Sequence, residues 1–323
     1  MALTRRHLLA LAGSAAASPT LARAADDWPS RPIRLIVGTA PGGSPDIIGR
    51  ILADKLAAKL GQSVFVENMT SGAGAIAQLT VAKSEPDGYT LGMLTAGFPP
   101  QMVMRKNVGF DPLDGFSFIT LVCGYPMVYA VAPGSSIKSF PDLLKRAKGH
   151  PGKLTYTINA LGSIYHILTK WIEMETGTEL TPIPYRGSAP AFTDVAAGRV
   201  DVMVDTATSA FPRIRAGQLR ALAVSSAERY PLMPEIPTVA ETVKAIEFMS
   251  WLGLAAAPGT PRAIVDRLNA EIREALTLPD VQQRLLEGGN VATPSTPEEM
   301  RKRIESEMAR WGRVIAAANI KTE

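Results

Sequence analysis

The sequence predicts an α/β fold. Short apolar runs of strand length alternate with amphipathic helical patterns along most of the chain. Glycine, serine and proline turns punctuate the change from one to the other. The clearest case is Ile33 to Ile48, IRLIVGTAPGGSPDII. Ile33, Leu35, Ile36 and Val37 make a buried strand, and Gly42 and Gly43 a tight turn. Ser44 is the expected helix N-cap, with Pro45 at the first helical position and Asp46 in the first turn. Such a helix start presents unpaired N–H groups and partial positive charge, which suits an anion. An ordinary capped strand-to-helix turn has the same sequence.

Further strands are expected at 63–67, 89–94, 127–132, 154–157, 200–204 and 219–224. Ile47, Ile48, Ile51, Leu52, Leu56 and Leu60 share one face of the first helix, which Gly61 ends. Thr260-Pro261 opens a helix with Ile264, Val265, Leu268 and Ile272 inward. Thr296-Pro297-Glu298-Glu299 is a capping box ahead of Met300, Ile304, Met308, Trp311 and Ile315.

The first 24 residues read as an export signal. Arg5 and Arg6 precede a short Ala/Leu-rich segment, and Ala22-Arg23-Ala24 fits a cleavage site. Thr4-Arg5-Arg6-His7-Leu8-Leu9 is twin-arginine-like, though a general secretory signal with two arginines fits as well. The expected location is the periplasm. Losing three arginines and no acid lowers the formal charge from +4 to +1, which removes the case for nucleic acid. The remaining chain is long enough for two domains, and no later segment is apolar enough to span a bilayer. The single cysteine, Cys123, reads as a buried apolar residue.

Three more turns invite a ligand. Gly162-Ser163 stands before Ile164, Ile167, Leu168, Trp171 and Ile172, so Ser163 can cap a helix or offer its hydroxyl. Arg186-Gly187-Ser188 opens a helix ending near Gly198. Asp205 ends the strand DVMVD, where ligands of open sheets gather; a turn-capping aspartate reads the same way. Gly72-Ala73-Gly74-Ala75-Ile76-Ala77 matches a dinucleotide fingerprint, but the acid expected after a second strand is missing. Gly42-Gly43-Ser44-Pro45-Asp46 has Asp where a nucleophile elbow needs its second glycine. His150 and His166, with one cysteine, give no metal cluster, and no cofactor is expected.

The order of these motifs resembles the tripartite tricarboxylate transporter receptor family, the Bug or TctC-like periplasmic solute-binding proteins. WPSRPIRLIV, PGGSPDIIGRILADKL, VFVEN, PDGYTL, PYRGSAPAFTDVAAGRVDVM, AGQLRALAVSSAERYPLMPEIPTVAE and APGTPRAIVDRLNAEI carry the resemblance. It implies a type II periplasmic binding protein, a two-lobe Venus flytrap. Residues 25–125 with 252–323 would form one lobe and 126–251 the other, crossing near Tyr125 and Trp251. It implies a protein that is not an enzyme, binds a small organic carboxylate and hands it to membrane transporter subunits; a monomer is expected. The ligand contacts implied are Gly42, Gly43, Ser44, Gly162, Ser163 and Asp205, with Asp46, Phe98 and Leu161 added here. Thr39 and Ala40, Met69, Ala160 and Leu161, and Phe98-Pro99-Pro100 depart from the family's pattern toward a less polar site. A carboxylate with an apolar or aromatic body is therefore expected rather than citrate. The rival readings are a ligand-sensing receptor for a membrane signalling protein and a hydrolase using Ser44.

Overall fold

The computed structural model describes residues 28–70, 74–105 and 107–320; the expected export signal lies outside them. Strand β1 (Ile33–Val37) pairs in parallel with β2 (Val64–Asn68) on one side and β3 (Thr90–Thr95) on the other. Helix α1 (Ser44–Leu60) joins β1 to β2, and α2 (Ala75–Ala82) precedes β3. Gly61 ends α1 at φ +67°, in the left-handed region that glycine reaches without strain. Ile48, Ile51, Leu52, Leu56 and Leu60 are buried beneath α1, but Ile47 is 42% exposed. At 100° per residue, Ile47 falls outside the stripe that its neighbours fill.

After the short helix α3 (Phe98–Met104), strand β4 (Ser117–Val131) runs for 15 almost wholly buried residues. It belongs to two sheet regions in turn. Its first part pairs antiparallel with β9 (Met249–Ala256), down to Pro126 opposite Met249. From Met127 onward it pairs with β7 (Met203–Thr206) and β8 (Arg220–Val224). Pro126, which has no N–H to give a ladder, stands where the partners change. The Ser225 hydroxyl accepts the Met127 N–H at 2.9 Å and donates to Phe248 O at 2.6 Å, tying the return crossing to the outgoing one. β9 also pairs antiparallel with β3, so the first sheet region runs β10-β4-β9-β3-β1-β2, with β10 (Val291–Ala292) at one edge.

The second region holds β5 (Thr155–Ile158) and β6 (Thr181–Pro184), paired in parallel, with Tyr156 bridged to Val202. Helices α4 (Phe140–Gly149), α5 (Ile164–Thr176), α6 (Ser188–Ala196) and α7 (Ala207–Arg215) connect its strands. Helices α8 (Arg262–Ala275), α9 (Pro279–Glu287) and α10 (Pro297–Ala317) follow β9. The Thr296 capping box forms: Thr296 Oγ1 accepts the Glu299 N–H at 3.1 Å, and Glu299 Oε2 accepts the Thr296 N–H at 2.8 Å. Helix α10 packs on β4 and also reaches α5, where Trp171 meets Trp311 edge to face at 5.9 Å. Among the described residues no helix is long and apolar enough to cross a membrane.

The expected strands occur within about three residues, except that 127–132 is only the second part of β4, which begins at Ser117. The first half of β4, β6 and β9 were not anticipated. Gly124 and Pro126 make the centre of β4 read as a break, yet a strand that changes partners has use for both. Cys123 is buried, as expected, and burial pushes its thiol far above the ordinary range.

Candidate ligand-binding site

The carboxyl ends of β1 and β3, the middle of β4 and the helix starts of α5, α6 and α7 converge on one region. Ser44 occupies the first turn of α1 rather than its cap, which is Gly43. Its side chain makes no capping bond and is only 8% exposed. Ser44 Oγ instead lies 3.3 Å from Thr208 Oγ1 on α7 and shares a hydrogen bond with the Tyr125 phenol. Thr208 Oγ1 is also 3.2 Å from Asn290 Oδ1. Tyr125 reaches Ser250 as well.

Asp205, 3% exposed at the end of β7, forms the other half of the cluster. It accepts the Thr206 N–H at 2.7 Å and is hydrogen-bonded to Ser188, Ser209 and Tyr165. Burial pushes its carboxyl above the ordinary range, and the hydroxyl and N–H donors with nearby Arg213 oppose that rise. Burial also keeps Tyr125 and Tyr165 phenolic, so both act as neutral hydrogen-bonding groups. Sequence reasoning missed Tyr125, Tyr165, Thr208 and Ser209. Only the fold brings Tyr125 and Thr208 to Ser44 and Tyr165 to Asp205; Ser209 follows Asp205 by one helical turn.

The predicted glycine turns are present, but their own amides are already used. Asp46 Oδ2 accepts the Gly42 N–H at 2.9 Å and Ala40 O the Gly43 N–H at 3.3 Å. In the second turn His166 Nδ1 accepts the Gly162 N–H at 3.0 Å and Ala160 O the Ser163 N–H at 3.1 Å. The N–H groups left at the two helix starts are those of Ser44 and Asp46 in α1, and of Ile164, Tyr165 and His166 in α5. Ser163 is the cap residue of α5 as expected, yet its hydroxyl caps nothing; Ser163 Oγ is buried without a partner.

Three other expected contacts have different surroundings. Asp46 is a brace: Oδ1 accepts from Arg50 at 2.9 Å and from Asn68 at 3.0 Å, beside the Gly42 bond at Oδ2. The Phe98 ring is 0% exposed and packs edge to face on Phe116 at 5.6 Å, so it serves the core. Leu161 is 71% exposed, in the turn where Gly162 takes φ +76°. His166 is a packed helix residue that braces the Gly162 turn, and the partners of Ser44 are hydroxyl groups rather than a general base. Gly74 meets the backbone of Gly38: a Cβ on Gly38 would sit 3.0 Å from Gly74 Cα. That gives this glycine a packing role; Gly72 lies outside the described residues. Among the described residues no three His, Cys, Asp or Glu side chains gather as a metal site.

Residues 48–320 match the family described as tripartite tricarboxylate transporter family receptor, TctC. The chain belongs to this receptor family. This TctC-type receptor is 37% identical over 313 residues to a protein from the tcbD-tcbE intergenic region of a Pseudomonas species, covering 96% of this chain and 93% of that one. It is 35% identical to protein BugT of Bordetella pertussis, over 99% of each chain. Among solved structures it is similar to an R. palustris protein with adipate, at 35% identity and TM-score 0.85 over 91% of this chain and 99% of the other. It is also similar to MatC of Rhodopseudomonas palustris with bound malate, at 27% identity and TM-score 0.82 over 89% and 100%. The receptor therefore has the two-lobed α/β architecture of a periplasmic solute-binding protein.

Proposed function

We propose that this receptor closes two lobes over a small organic carboxylate and delivers it to transporter subunits in the membrane. Residues 25–125 with 252–323 make one lobe and 126–251 the other, the chain crossing near Tyr125 and Trp251, close to the point where β4 changes partners. Residues 1–24 direct export to the periplasm, and the receptor acts there as a monomer.

The observation that carries this reading is the contact between Ser44 and Thr208, one from each proposed lobe, beside buried Tyr125, Asp205 and Tyr165. Two helix starts with available N–H groups and the unpartnered Ser163 hydroxyl suit a carboxylate. Each charge-assisted hydrogen bond contributes about 1.5–3 kcal/mol. Three or four therefore reach micromolar affinity, on the order of −8 kcal/mol. The adipate and malate of the two R. palustris relatives support a carboxylate with a short, partly apolar body.

Calorimetry with adipate, malate, benzoate and citrate tests the reading. Binding of the first two or of benzoate more tightly than citrate is expected, and Ser163→Ala should weaken it without lowering the melting temperature. Heat from none of the four overturns it, and citrate as the tightest ligand overturns the partly apolar ligand body.

A further inference from the structure

A cavity of about 40 Å³ lies between the carboxyl ends of β1 and β3 and the helices α2 and α3. Gly38, Thr39, Gln78, Thr95 and Gln101 supply its polar wall, Met93 and other apolar side chains the rest, and among the described residues no charged side chain lines it. It adjoins the PGGS turn, since a Cβ on Gly43 would sit 3.6 Å from Thr39 Oγ1. Two polar atoms at this wall, Thr39 Oγ1 and Gln78 Oε1, are buried with no hydrogen-bond partner. Gln78 Nε2 lies 3.5 Å from Gln101 Oε1, a long hydrogen bond, and Gln78 Oε1 is left as the amide's open acceptor. Thr95 Oγ1 is engaged by the Gly97 N–H at 3.2 Å.

We infer that this cavity is a polar subsite, formed by Gln78 and Thr39, that takes a hydroxyl group carried by the carboxylate ligand. The inference rests on the carboxylate reading above and deepens it to the class of hydroxy acids. A hydroxyl satisfies both orphaned groups at once: it donates to Gln78 Oε1 and accepts from Thr39 Oγ1. A second carboxylate has no proton for Gln78 Oε1 and meets no cation, so like lone pairs face each other. The volume suits one small group, since a single water needs only about 10–15 Å³ of such space. Gln78 therefore selects by leaving a buried acceptor unpaired when the hydroxyl is missing.

Calorimetry on matched straight-chain monocarboxylates of three to six carbons, with and without a terminal hydroxyl, tests this. At the chain length that reaches the cavity, the hydroxy acid is expected to bind about tenfold tighter than its parent. Gln78→Leu and Thr39→Val should each remove that advantage and leave the parent acid within about twofold. No advantage in the unaltered protein means a cavity that holds only solvent and overturns the inference, as does an advantage that survives both substitutions. If none of these acids nor adipate, malate, benzoate or citrate binds, the carboxylate reading itself fails, and this inference with it.

Discussion

Thr208 Oγ1 lies 3.3 Å from Ser44 Oγ although 164 residues separate them in the chain. Ser44 stands in the first turn of α1, beside β1, and Thr208 in the first turn of α7, beside β7. The two helices arise from strands in different sheet regions, so this hydroxyl pair is a direct measure of how the regions meet.

Thr208→Val keeps the volume of the side chain and removes the hydroxyl. A contact made only in the closed state contributes to closure and not to the stability of either lobe. Thr208→Val and Ser44→Ala are each expected to weaken adipate or malate binding several-fold, with the melting temperature unchanged. In the double variant the losses should fall short of the sum, because the two hydroxyls share one bond. A lowered melting temperature with unchanged affinity would place the pair in the static core instead.

His166 couples the second turn to acid. Burial, with Lys170 adding to it, lowers the imidazole from 6.5 to about 4. The folded protein thus binds fewer protons than the unfolded chain between those values. The associated stability is complete above about pH 6.5 and is lost as pH falls toward 4, at most about 3 kcal/mol. Protonation also turns Nδ1 into a donor, which breaks its bond with the Gly162 N–H. Urea midpoints between pH 4 and 8 should therefore fall more steeply toward acid for the unaltered protein than for His166→Asn. Parallel curves would remove His166 from the account.

Glu307 holds the last helix to the return crossing. Its carboxylate accepts from Trp251 Nε1 at 2.9 Å and from Arg303 Nε at 3.0 Å, and Arg303 also donates to Met249 O at 3.0 Å. Burial raises the carboxyl above its ordinary range, and Arg303 and Trp251 oppose that. Glu307→Leu leaves both donors unmatched and should cost about 3 kcal/mol, whereas Glu307→Gln, which keeps an acceptor, should cost about 1 kcal/mol. Equal losses in urea unfolding would show that the site tolerates the unpaired Trp251 N–H.

Local signals were readable where one segment holds all the physics. The Gly61 stop of α1 and the capping box at Thr296 depend on residues a few positions apart. Turn geometry was also legible, but the use of each turn's amides was not. The Gly42 N–H goes to Asp46, expected as a ligand contact, and the Gly162 N–H to His166, weighed as a metal ligand. Phe98 and Leu161 were chosen for their departure from a pattern, which says nothing of direction; one ring turned into the core and one side chain out to solvent.

By itself the sequence determined the alternation of strands and helices, the placing of the helix starts and the family, because these follow from periodicity, capping and motif order along a single stretch. Only the tertiary structure decided that β4 serves two sheet regions and that Tyr125, Tyr165, Thr208 and Gln78 stand beside the predicted turns. Strand pairing and burial act between residues distant in the chain. Which polar atoms are left without a partner is fixed only when all the others have found theirs.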